Sequence, residues 1–92
     1  MSRHLPTDTA SQLELAFEDN RLVSQLYGEF DQNLALIEQR LAVQATPRGN
    51  HVMLKGAVSS VDQARRVLES LYAPLEEGRP VEIADVDRVI RM

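Results

Sequence analysis

The spacing of apolar residues along this chain switches between a period of two and a period near three and a half, and each switch marks an element. Over residues 11–17, Leu13, Leu15 and Phe17 alternate with Gln12, Glu14 and Ala16, the pattern of a half-buried strand. Leu22, Val23, Leu26 and Tyr27 then fall at helical spacing, and Asp19 or Asn20 is placed to cap the first turn. Gly28 stops that helix, as a C-terminal glycine does. Asp31 is placed to cap a second helix, which buries Leu34, Ile37 and Leu41 and turns Glu38, Gln39 and Arg40 to water. Residues 42–47 alternate around Val43 and Ala45, Arg48-Gly49-Asn50 reads as a tight turn, and Val52 and Leu54 share one face of a returning strand. Pro47 cannot donate to a ladder, so it belongs at a strand end or on a sheet edge. Val61, Ala64, Val67, Leu68, Leu71, Tyr72 and Leu75 form the stripe of the longest helix, with Ser59 or Ser60 as its cap and Pro74 near its end. After the break at residues 76–80, a short helix is predicted over Asp85 to Met92, with Val86, Val89 and Ile90 apolar.

This order predicts an α+β fold, a three-stranded sheet with helices packed on one face in βααββα order, plus a short C-terminal helix. Strand, helix, glycine turn, helix, two strands and a helix is the layout of type I KH-like modules, which grip RNA or single-stranded DNA at the helix–helix turn. Residues 1–10 are polar and aperiodic and read as a disordered lead-in. Residues 11–76 make the KH-like domain, and residues 77–92 a linker and terminal helix. The expected core gathers the stripe residues, and Phe17, Tyr27, Phe30 and Tyr72 all fall at positions that read as core.

Composition sharpens the functional question. Ninety-two residues suffice for one modest core. Fourteen acids against ten bases give a net charge of −4, so the chain lacks the overall attraction for phosphate that basic nucleic-acid binders have. Any such binding must be local or assisted. The absence of cysteine excludes disulfides and thiolate chemistry and is compatible with a reducing cytosol. No apolar run approaches the roughly 20 residues of a membrane span, and Met1-Ser2-Arg3-His4-Leu5-Pro6 lacks the apolar core of a signal peptide. A cytoplasmic protein with no membrane partner is expected.

Several short stretches, in order, resemble the N-terminal domain of bacterial PhoH-like proteins. They are Phe17-Glu18-Asp19-Asn20, Leu26-Tyr27-Gly28, Asp31-Gln32-Asn33-Leu34-Ala35-Leu36-Ile37-Glu38, Arg48-Gly49-Asn50, the helix from Val61 to Leu75, and Asp85-Val86-Asp87-Arg88-Val89-Ile90-Arg91-Met92. The resemblance implies a KH-like accessory domain preceding a P-loop ATPase, in a family associated with RNA metabolism and phosphate starvation. It implies single-stranded RNA, the ATPase domain of the same protein, an endoribonuclease and further copies of the chain as partners. ATP and magnesium are expected only in the ATPase domain, because no Gly-x-x-x-x-Gly-Lys-Ser/Thr occurs here and none of the four glycines precedes lysine. The chain is therefore read as one domain of a longer protein, without a cofactor or catalysis of its own.

Candidate binding residues follow from this layout. In KH modules the turn carries G-x-x-G; here it reads Gly28-Glu29-Phe30-Asp31, with aspartate in the second glycine's place. Gly28 would let a nucleic-acid backbone approach, N–H groups opening the second helix would face phosphate, and Gln32 and Asn33 would add hydrogen bonds. A purely structural reading makes Gly28 a C-cap, Asp31 an N-cap and Phe30 a core plug, and the acidity of Glu29 and Asp31 favours it. Arg21, Arg40, Arg48 and Lys55 are the bases placed to edge a KH-type groove, though scattered charges are also the ordinary exterior. His4 and His51 lack metal-site spacing, and no nucleophile–base set has a telling local motif. Val86, Val89 and Ile90 form a face for docking on this domain, on the ATPase or on another copy. Loss of the nucleic-acid grip would leave a docking or oligomerisation domain, the alternative function.

Overall fold

A computed structural model describes residues 10–92. The lead-in expected over residues 1–10 falls outside the described residues, as does His4, except that Ala10 opens the first strand. The elements run β1 (Ala10–Ala16), α1 (Asn20–Tyr27), a single 3-10 turn (Glu29–Asp31), α2 (Gln32–Leu41), β2 (Val43–Arg48), β3 (His51–Ala57), α3 (Val58–Glu76) and α4 (Ile83–Arg91). The fold is α+β, with the sheet antiparallel throughout in the order β1-β3-β2. Helices cover one face only, consistent with the βααββα layout plus a terminal helix.

The alternation read from the sequence sets which face is covered. Leu13 pairs with Leu54, and Leu54 with Ala45; Leu15 pairs with Val52, and Val52 with Pro47. These residues point at the helices, and the central strand's Val52 and Leu54 are fully buried. Leu13 and Leu15, on edge strand β1, are only half-buried. Pro47 sits on the other edge, β2, as its missing N–H requires. Leu26, Ile37, Ala64 and Leu68 bring α1, α2 and α3 into the same core. Tyr72 of α3 packs its ring 4.8 Å from that of Phe17, and its hydroxyl accepts from the Asp19 N–H.

Three local expectations need correction. Glu38 does not simply face water: its carboxylate accepts from the Ala45 N–H at 2.7 Å and ties edge strand β2 to α2. The serines do not cap α3, which starts at Val58 after an extended Ala57 and leaves Ser59 and Ser60 in its first turn. Pro74 lies in the last turn of α3, near its end as expected, where the carbonyl it deprives belongs to exposed Ser70. The terminal helix starts earlier than expected, at Ile83, set by a reciprocal capping box between Glu82 and Asp85.

That helix is also not a free docking face. Val86 is fully buried in the domain's own core, with Val89 and Ile90 packed around it. The Arg40–Asp87 ion pair, 2.6 Å long, clamps α4 to α2. Residues 77–82 are thus a short connection within one packed unit, and the helix they lead to completes it.

Candidate nucleic-acid interface

The turn between α1 and α2 is built around one glycine and one asparagine. Gly28 has φ 85° and ψ 171°, a region essentially closed to residues with a Cβ. Its N–H donates to the Ser24 carbonyl and closes α1, as a C-cap should. A Cβ on Gly28 would lie 2.8 Å from Cγ of Asn33, so the asparagine fills the space the glycine leaves. Nδ2 of Asn33 donates to the Leu26 carbonyl at 3.1 Å, satisfying an orphan acceptor at the end of α1. Asn33 is 1% exposed. It therefore cannot reach phosphate or a base directly, and the contact expected of it is replaced by a structural role: it staples the two helices at the turn.

Two neighbours depart further from expectation. Asp31 stands at the start of α2 with left-handed backbone (φ 56°), and its side chain makes no capping hydrogen bond. Phe30 is 95% exposed, not a core plug. Its φ of 54° places a bulky side chain in the left-handed region, which costs conformational energy. Phe30 lies four residues after Leu26 and four before Leu34, spacing that continues both stripes only if the helix runs unbroken. Gly28 breaks it, and the ring swings outward. The interruption at Gly28 was the available signal.

Beside the turn runs a shallow cleft. Val23, Ser24 and Tyr27 of α1 form one wall, Asp31 one end, and Pro47 and Gly49 of the β2–β3 hairpin the other wall. The Tyr27 hydroxyl donates to the His51 carbonyl at 3.0 Å and fixes the distance between walls. Burial pushes its phenol up to about 12, and the Asp31 charge adds to the effect.

None of the expected bases lines this cleft. Arg21 folds back on Asp19, whose carboxylate caps α1 by accepting from the Arg21 N–H at 2.9 Å. That bonding holds the Asp19 carboxyl below its ordinary range. Arg40 is committed to Asp87 of α4. Gln32 is exposed at the start of α2, outside the cleft. Arg48 and Lys55 come together, but on the helix-free face of the sheet, where both border one shallow depression. The four bases do not share a groove. Among the described residues no group of three His, Asp or Glu is placed to hold a metal ion. No family model matches the chain, and no solved structure gives a significant match.

Proposed function

We propose that the chain is a non-catalytic, KH-like accessory domain that presents single-stranded RNA to a PhoH-type ATPase in the cytoplasm, with Phe30 as the stacking platform. The observation that carries this reading is the presentation of Phe30. An aromatic ring stands fully in solvent, on strained backbone, at the turn that grips nucleic acid in KH modules. Stacking on such a ring is worth about 1–3 kcal/mol per base and tolerates any sequence. It also needs no basic groove, which reconciles binding with the acidic turn. ATP, magnesium and an endoribonuclease partner belong to the ATPase side of this reading. No helix is long and apolar enough to cross a membrane among the described residues.

The test is fluorescence anisotropy of a labelled RNA of about ten nucleotides, within the usual single-strand site range. Phe30→Ala should weaken binding by about 5- to 150-fold, the equivalent of that stacking energy, with no loss of thermal stability. Unchanged affinity would remove RNA from the turn.

A specific feature supports a second reading. Glu29 and Asp31 flank Phe30, and an aromatic anchor between carboxylates also suits a basic protein surface. Under that reading the turn docks a protein or a neighbouring copy, and RNA does not bind even at low salt.

A further inference from the structure

Every described arginine but one has a carboxylate partner. Arg21 pairs with Asp19, Arg40 with Asp87, Arg65 and Arg66 with Asp62, Arg79 with Glu77, Arg88 with Asp85 and Arg91 with Asp87. The exceptions among the described basic side chains are Arg48 and the chain's single lysine, Lys55. Both lie on the face of the sheet that no helix covers.

The strand register makes this face a small lattice. One row across the strands reads Gln12, Lys55, Gln44; the next reads Glu14, Met53, Thr46; the third reads Ala16, His51, Arg48. Its one carboxylate, Glu14, is engaged by His51 at 2.9 Å. A protein of net charge −4 thus keeps a patch with two cations that have no carboxylate partner against one carboxylate, Glu14, which is hydrogen-bonded to His51. Amides flank Lys55 on both sides, and Lys55 and Arg48 are two rows apart, about 14 Å along the strands. No Phe, Tyr or Trp lies in these rows, and the one ring, the His51 imidazole, is held by Glu14.

We infer that the helix-free sheet face, through Arg48 and Lys55, is a second contact surface that tracks the phosphate backbone of a single nucleic-acid strand. Charge complementarity selects a polyanion. Three strands span about 10 Å between the outer two, a width suited to one strand of nucleic acid. With its one ring held by Glu14, the face reads phosphate, not bases, so it supplies salt-sensitive attraction without sequence readout. The inference deepens the RNA reading and rests on it for the identity of the ligand, but it uses a different surface from Phe30.

The experiment compares the salt dependence of binding to the same labelled RNA for the wild type, the double variant Arg48→Gln/Lys55→Gln, Phe30→Ala and Thr46→Lys. Each phosphate contact contributes about 0.7 to the slope of log affinity against log salt for single strands. Two contacts give about 1.4, or roughly sevenfold weaker binding between 50 and 200 mM salt. The double variant should lose that slope, and Thr46→Lys, which adds a cation in the middle row, should steepen it by about 0.7. All these positions are exposed, and coincident thermal melts establish that each variant folds. If the double variant loses the slope while Phe30→Ala binds as the wild type does, the sheet face stands and the turn reading falls. If Phe30→Ala weakens binding while the double variant keeps slope and affinity, the sheet-face inference is overturned and the turn reading stands. Failure of the wild type to bind at 50 mM salt overturns both.

Discussion

Gly28 and Asn33 occupy one another's space, and that single fact explains the geometry of the turn. The glycine must lack a Cβ because Cγ of Asn33 would be 2.8 Å from it, and the asparagine must be there because the Leu26 carbonyl needs its donor. Gly28→Ala therefore carries two costs, a backbone conformation nearly closed to alanine and a steric clash. Asn33→Ala leaves a buried carbonyl unpaired, a loss of about 1–3 kcal/mol. The double variant removes the clash, so the two losses should fall short of additive by about 0.5–3 kcal/mol in a urea-denaturation cycle. Strict additivity would show that the two residues do not share the space. At this scale the sequence was only partly legible. The glycine and its role as a helix stop were visible, because a glycine after a helical stripe has few other meanings. The inward turn of Asn33 and the outward turn of Phe30 were not, because both depend on a backbone reversal that periodicity cannot express.

Elements were the most legible level, since each stripe that buries apolar area repeats a geometric period. The stripe of α3, from Val61 to Leu75, and the alternation of β1 and β3 transfer directly into the packed structure. Partner choice was less legible. Val86, Val89 and Ile90 marked an apolar face on α4, but a face does not name what covers it, and here α2 and α3 do. What orients α4 is electrostatic as well as apolar. Asp85 accepts from the Glu82 N–H and pairs with Arg88, and these bonds, the first being the larger cause, hold its carboxyl below its ordinary value of 3.8. A carboxylate held low contributes stability in full above the unfolded value, 3.8, and loses it as pH falls through the lower folded value. Asp85→Asn should therefore lower the melting temperature at neutral pH and flatten its fall in acid. Amide exchange should show α4 opening ahead of the sheet as the wild type is acidified. An unchanged acid slope in the variant would place the acid sensitivity elsewhere, with Asp62, held low mainly by Arg65, the next carboxyl to replace.

Across the described residues, the exposed aromatic ring and the cations without a carboxylate partner lie on different surfaces. The acidic turn carries the exposed ring, and the open sheet face carries the uncompensated cations, so a strand of nucleic acid meeting both would be stacked at one place and held electrostatically at another. This separation follows from topology: one edge of the β2–β3 hairpin walls the cleft, while its outward residues belong to the sheet face. Sequence alone grouped Arg21, Arg40, Arg48 and Lys55 because a KH layout would place them along one groove; which bases remain free depends on the carboxylates that folding brings near. Tyr27 holds the two regions in register, since it lies in α1 and donates to the hairpin at His51. Tyr27 is 5% exposed, and burial pushes its phenol from the ordinary 10 up to about 12. A folded-state value raised in this way means the neutral phenol's contribution is complete below pH 10 and is lost as pH climbs through about 12. The shift corresponds to on the order of 3 kcal/mol. Tyr27→Phe should cost about 1 kcal/mol at neutral pH through the lost hydrogen bond. Between pH 10 and about 12 the wild type should lose that advantage and then fall below the variant, because phenylalanine has no proton to release. Urea midpoints that run parallel for the two proteins across this range would show that Tyr27 ionises without separating α1 from the hairpin, and that the cleft is held by its apolar walls alone.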